Sequence, residues 1–250
     1  MPGLDVLDFS ALRHVIEAER PSAIVNCVGV IKQLKSANDR RLAVGINAYL
    51  PHVLQKMSDD IGARFVHFST DCVFSGRKGH YREEDISDAE DIYGRTKFLG
   101  EIDADEGRGV TLRTSIIGRE LKTTHGLVEW FLSQKGNHIR GYHGAIYTGF
   151  PTAEMAGIIM RVLEQGESLR GVYQIASNPI TKFDLLTAIR DLGGFDIIID
   201  RDETFQCDRS LVMERFTAST GYFAPSWREM ISVMLADSTP YDQYRRSRDA

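Results

Sequence analysis

The sequence predicts an α/β fold built on a doubly wound parallel sheet, with a smaller lobe at its C-terminal end. Short apolar runs of strand length alternate with longer segments of helical period, the pattern that parallel strands and their crossovers require. The rhythm changes past residue 176. A chain of 250 residues has room for one substantial domain and an attached lobe, but little for two independent domains.

In chain order, strands are expected at residues 3–6, 23–28, 64–69, 110–113 and 171–176, each carrying Val, Ile, Leu or Phe. Between them, apolar residues spaced three and four apart predict helices at 9–19, 40–60, 93–103, 127–133 and 152–165. The lobe should hold a helix at 182–192, a strand at 197–199 and helices at 211–216 and 228–235. Residues 237–250 are polar without an apolar period and read as a loose tail. The division is therefore 1–176 for the larger domain, within which 121–141 faces the ligand, and 177–250 for the lobe.

A formal charge of -5 argues against a nucleic-acid or anionic membrane partner, while leaving room for a local basic patch. Cys27, Cys72 and Cys207 are odd in number and contain no C-x-x-C pair, so neither a disulfide framework nor a structural zinc site is expected. His138 and His143 are five apart and no H-E-x-x-H occurs, so no metal is implied. Without an apolar stretch of spanning length or a basic-then-apolar leader, the expected location is cytoplasmic.

The most informative residues are Tyr93-Gly94-Arg95-Thr96-Lys97 together with Ser69-Thr70-Asp71, which follow the apolar run Arg64-Phe65-Val66-His67-Phe68. Residues four apart share a helix face, so Lys97 is expected beside the Tyr93 phenol, favouring its ionised form and making it a usable acid. Thr70 would add a hydroxyl donor toward an oxygen on which charge develops. The set suits proton delivery to a carbonyl that receives hydride. The plainer reading of the spacing is a solvated tyrosine packed on a lysine stem. The strand end upstream favours the functional one, because ligands of open α/β sheets bind at the carboxyl edge.

A complete dinucleotide-binding sheet opens with a strand, a G-x-G-x-x-G turn and a helix that holds the pyrophosphate. No such turn precedes Met1-Pro2-Gly3-Leu4-Asp5. The missing strand would lie mid-sheet and leave the strand at 23–28 with an open apolar edge. We therefore expect an N-terminally truncated Rossmann-like sheet, a fragment or a start placed too late, short of one βαβ unit of about 30 residues or somewhat more.

With these motifs and the following Leu112-Arg113-Thr114-Ser115, the chain resembles the extended short-chain dehydrogenase/reductases, most closely the dTDP-4-dehydrorhamnose reductase group of nucleotide-sugar enzymes. The likeness runs from about Asp5 to Met230. It includes Asp5-Val6-Leu7-Asp8, Asn26-Cys27-Val28-Gly29, Ile46-Asn47-Ala48, Gly149-Phe150-Pro151-Thr152 and Arg209-Ser210-Leu211. The resemblance implies a catalytic triad of Thr70, Tyr93 and Lys97, with Lys97 also reaching the nicotinamide ribose of NADPH or NADH. It implies cofactor contacts from Asp5, Val6, Asn26, Cys27, Val28, Gly29, Ser69, Arg113, Thr114 and Ser115. It makes Asn47 a helical asparagine that props the site, although a side chain merely tolerated in a helix explains it nearly as well.

Substrate contacts are implied for Asp71, Cys72, Arg209 and Ser210, the arginine fork being suited to phosphate and equally to a surface ion pair with Asp208. Cys72 stands where the reductases usually carry tyrosine, and the absence of a glutamate beside Asp71 disfavours a 4,6-dehydratase. A cysteine there is similar to the epimerase/reductases, for which His125 is the nearest partner, whereas an inert packed thiol is the simpler reading. The implied activity is NAD(P)H-dependent reduction of the 4-keto group of a nucleoside-diphosphate 6-deoxy sugar for surface polysaccharide, with a homodimer compatible. The rival is a binding or regulatory protein, since the family also includes a non-catalytic subunit of methionine adenosyltransferase.

Overall fold

The computed structural model describes residues 3–31, 39–105 and 107–246. Four parallel strands form the main sheet: β1 (Ala23–Asn26), β2 (Arg64–Thr70), β3 (Val110–Thr114) and β7 (Gly171–Gln174), in the order β1-β2-β3-β7. Alternation along β2 sends Phe65 to one face and Val66 to the other. Phe65 meets Leu12 and Ile16 of α1 (Phe9–Glu19) and Leu50, Leu54 and Met57 of α3 (Leu50–Ile61). Val66 meets Met155, Ile158 and Val162 of α6 (Thr152–Glu164) and Phe216 of α8 (Glu214–Thr220). Helices thus cover both faces, and the sheet is doubly wound.

Local chemistry fixes most helix ends. Asp8 caps α1 by accepting from Ala11 N, and the left-handed Arg20 stops it. Asp39 caps α2 (Arg40–Ala43), which runs through a π-helical stretch, Val44–Tyr49, into α3, and Gly62 at φ 73° closes α3. Asp91 caps α4 (Ile92–Leu99) through Gly94 N.

A second sheet, β8-β5-β9, joins β5 (His138–Tyr147) in parallel to β9 (Ile198–Asp208) and antiparallel to β8 (Ile180–Thr181). α5 (Leu127–Leu132) and α7 (Lys182–Gly193) share a core with β5, while α9 (Trp227–Leu235) gives Met230 to the main core and Ile231 to this one. A short parallel pair, β4 (Ile116–Ile117) with β6 (Phe150–Pro151), lies between.

Three expectations need correction. Residues 3–6 are not a strand: Asp5 Oδ1 accepts from Leu7 N and Asp5 O from Asp8 N, so local turn bonds replace a ladder, and Leu4 and Val6 simply cover the core of α1 and α3. The helix expected at 211–216 is displaced: Leu211 pairs with Tyr81 in an isolated bridge, and α8 runs from Glu214 to Thr220. Residues 237–246 are not loose: α10 (Tyr241–Arg246) packs Tyr241 under the Arg119 guanidinium, 4.5 Å from the ring centre, and Arg245 pairs with buried Glu129 at 2.6 Å. Residues 247–250 lie outside the described residues. β5 went unread in the sequence because its inward positions include Gly141 and Ala145, whereas β9 was expected only at its apolar start, 197–199, because its continuation is rich in charged residues.

Gly94 is where α4 meets the rest most closely, for an added Cβ would stand 2.1 Å from the Cys72 carbonyl oxygen. In an exposed helix, Gly→Ala stabilises by about 1 kcal/mol. Here Gly94→Ala should instead destabilise by about 1–3 kcal/mol, seen as a lower denaturation midpoint.

Candidate active site

The carboxyl end of β2 and the first turn of α4 bring the candidate groups together. Thr70 ends β2 in extended conformation and opens a single 3-10 turn, Asp71–Val73. Its Oγ1 accepts from Cys72 N at 3.1 Å and donates to Asp71 Oδ1 at 3.2 Å. A cleft of about 580 Å³ is lined here by Thr70, Asp71, Cys72, Tyr93, Lys97 and Ser115, and also by Cys27, Val28, Gly29, Ser69 and Thr114.

The electrostatics differ from the expectation for a lysine-activated phenol. Although Tyr93 as a whole is half-buried, desolvation of its phenol holds it above the ordinary tyrosine value, the Cys72 side chain adds to this, and a Thr70 hydrogen bond opposes it. Lys97 is turned elsewhere: its amine donates to Phe68 O and lies 3.4 Å from His67 Nε2. Burial lowers Lys97 to about 8, against the pull of Glu101 and Cys27 toward the charged form. Tyr93 therefore enters any reaction as a protonated phenol. Burial likewise raises Asp71, with Arg209 as the main opposing charge.

The remaining expected residues fall into two groups. Asn26 and Asn47 stand behind the cleft, where Asn47 accepts from Val30 N at 2.8 Å and donates to Val30 O at 3.0 Å, clamping the loop after β1. Asn47 lies in the π-helical stretch and also donates to Thr96 Oγ1 of α4 at 3.3 Å. Outside the cleft lining are Asp5, Val6, Arg113, Arg209, Ser210 and His125. Arg113 is buried in a forked pair with Glu101, Nε to Oε1 at 2.8 Å and Nη2 to Oε2 at 2.7 Å, and Ser69 Oγ donates to the same Oε1 at 2.6 Å. Arg209 donates to Phe74 O at 2.8 Å and reaches Cys72 Sγ at 3.7 Å, so it borders the site from the end of β9. Ser210 is fully buried, its Oγ accepting from His80 N at 2.8 Å. His125 is exposed, with its backbone N donating to Glu120 Oε2 at 3.1 Å.

Sequence reasoning passed over His67, Glu101 and Glu120. His67 carried a signal, a polar residue inside an otherwise apolar strand. Glu101 carried none, because its partner Arg113 is twelve residues away on another element. Glu120 lines the cleft and ties its own loop by accepting from Gly126 N. Among the described residues there is no group of three His, Cys, Asp or Glu that could hold a metal, and no helix long and apolar enough to cross a membrane.

The groups fit the nicotinamide end of a dinucleotide: a protonated phenol, a hydroxyl and an amine share one cleft with the glycine-containing loop after β1 and an apolar wall of Met155, Ala156 and Ile159. Residues 3–22 consist of turns and α1, so among the described residues no glycine-rich turn follows a strand to cradle a pyrophosphate.

Comparison with known proteins agrees with this fold. The sequence model of the RmlD substrate binding domain matches residues 2–239. The spore coat polysaccharide biosynthesis protein SpsK of Bacillus subtilis (strain 168) is 26% identical, over 94% of this chain and 86% of its own length. Methionine adenosyltransferase 2 subunit beta of Xenopus laevis is 25% identical over 75% of this chain, a match that spans 59% of that protein. In fold, the chain superposes with a TM-score of 0.81 on the dTDP-4-dehydrorhamnose reductase of Bacillus anthracis str. Ames in complex with NADP, at 20% identity, covering 92% of this chain and 86% of that one.

Burial and neighbouring Asp71 push the Cys72 thiol up to about 12, so little thiolate exists at neutral pH. Iodoacetamide at neutral pH should leave Cys72 unmodified in the folded protein and label it after denaturation, as read by peptide mass spectrometry. Labelling of Cys72 at the rate of the unfolded chain would contradict this.

Proposed function

This chain belongs to the RmlD substrate binding domain family, and on that premise we propose that it is an NAD(P)H-dependent reductase of the short-chain dehydrogenase/reductase superfamily. Its substrate in this reading is the 4-keto group of a nucleoside-diphosphate 6-deoxy sugar, and its setting is surface polysaccharide synthesis in the cytoplasm. The observation that carries the reading is the convergence of the Thr70 hydroxyl, the Tyr93 phenol and the Lys97 amine in one cleft at the carboxyl end of β2.

The glycine-containing loop after β1, Lys97 and the apolar wall of Met155 and Ile159 would hold a reduced nicotinamide, which would supply the hydride for the carbonyl carbon. Tyr93, kept protonated by its surroundings, gives its hydroxyl proton to the carbonyl oxygen as charge builds there. Thr70 can polarise that oxygen only by turning its single O–H away from Asp71. Lys97 stands in the same cleft to meet the ribose and to stabilise the phenolate left behind. The lobe contributes Arg209, which faces Asp71 and donates to Phe74 O at the border of the cleft, as a contact for the nucleotide diphosphate.

A combined epimerase/reductase is less favoured, since a thiol held up to about 12 is a poor source of the thiolate that such a role needs. Likeness to a methionine adenosyltransferase subunit supports a regulatory role as the second reading. Binding a protein partner would not require Thr70, Tyr93 and Lys97 to share a cleft.

Tyr93→Phe removes the proton donor and keeps the ring. With a dTDP-4-keto-6-deoxy sugar and NADPH or NADH, it should lower kcat by about 10²–10⁴-fold and leave coenzyme affinity nearly unchanged. Full activity in the variant would remove Tyr93 from the mechanism, and no turnover by the unsubstituted protein together with tight binding of a protein partner would favour the regulatory reading.

A further inference from the structure

The groups that face the Lys97 amine come from outside α4. His67, fully buried on β2, stacks on Phe65 with its ring 6.3 Å from that ring and nearly parallel. Its two nitrogens point at two different partners, Nδ1 at Asn26 Nδ2 at 3.1 Å and Nε2 at Lys97 Nζ at 3.4 Å. Asn26, buried at the end of β1, has its amide orientation fixed, because its Oδ1 accepts from Val28 N at 3.1 Å. Its Nδ2 must then be the donor to His67 Nδ1. An imidazole that accepts at Nδ1 and is neutral carries its hydrogen on Nε2, aimed at Lys97.

This arrangement distinguishes the two forms of Lys97. An ammonium has three donors and no acceptor, so it would meet the Nε2–H donor to donor. A neutral amine can give one N–H to Phe68 O and take the Nε2–H on its lone pair. The imidazole cannot escape by moving its hydrogen to Nδ1, because the Asn26 amide already points a donor there. Burial, the charge of Lys97 and, less strongly, His52 of α3 all hold His67 well below its ordinary value, which keeps the ring neutral. Glu101, beyond α4, and Cys27, after β1, act on Lys97 in the opposite sense, and Glu101 is already engaged by Arg113 and Ser69.

We propose that Asn26 and His67 are positioning residues that hold a hydrogen-bond donor against Lys97 and thereby favour its uncharged, proton-accepting form. This rests on the reductase reading, in which Lys97 stands in the same cleft as Tyr93.

The test needs neither coenzyme nor substrate. In the isotope-labelled protein, two-bond nitrogen–proton correlations report the His67 tautomer, and the Lys97 ε-carbon shift, assigned with Lys97→Met, reports its titration. We expect hydrogen on Nε2 and a Lys97 midpoint near about 8. His67→Gln can turn its amide oxygen to Lys97 and should raise that midpoint by about one unit or more, a tenfold shift toward the ammonium. Asn26→Asp keeps an acceptor for Val28 N but demands hydrogen on His67 Nδ1, so it should reverse the tautomer and also raise the midpoint. Should the glutamine variant fail to fold, the tautomer and Asn26→Asp carry the test. Hydrogen on Nδ1 in the unsubstituted protein, or an unmoved Lys97 titration in the folded variants, overturns the inference. Absent reductase activity with the expected titration would count against the reductase reading alone.

Discussion

The closeness of α4 to the backbone around it governs the rest of this site. Built Cβ atoms would stand 2.1 Å from the Cys72 carbonyl oxygen at Gly94 and 2.0 Å from the Asn47 carbonyl oxygen at Gly100. The helix is therefore seated against the turn after β2 at one end and against the π-helical stretch at the other. Seated this closely, α4 carries the Tyr93 phenol and the Lys97 amine into largely desolvated positions at the wall of the cleft. Desolvation, not their mutual charge, then becomes the largest influence on both.

Behind that contact the polar groups are paired nearly to completion. Asn47 clamps Val30 on both backbone atoms and also reaches Thr96, so the loop after β1, the π-helical stretch and α4 are tied at one side chain. Glu101 gathers Ser69 and Arg113 on the other side of the strand ends. Removing one partner of such a buried ion pair costs about 3–5 kcal/mol, because the other charge is left unpaired. These networks keep the strand ends rigid while the hydroxyl of Thr70 stays able to turn.

Most of the main sheet was legible in the sequence because its strands are apolar runs and its helices have regular period. The helix at 9–19 was read to the residue, as its Asp8 cap and apolar stripe imply. Tyr93, Lys97 and Thr70 were legible as a set, since their spacing and position relative to a strand end are local facts. What Lys97 does was not, because its partners Phe68 O, His67 and Glu101 depend on how β2 and the chain after α4 pack. Arg113 shows the same limit from the other side: its place after an expected strand end suggested a ligand contact, yet β3 turns it toward Glu101. The β5–β9 pairing escaped because glycine and alanine fill inward positions of β5, leaving little hydrophobic alternation to read.

Burial, rather than a neighbouring ammonium, controls the Tyr93 phenol. Ultraviolet difference titration of the unsubstituted protein against Tyr93→Phe isolates the phenolate signal of this one residue. No Tyr93 phenolate should form at or below the ordinary tyrosine value of about 10. A Tyr93 phenolate that forms near neutral pH would contradict it.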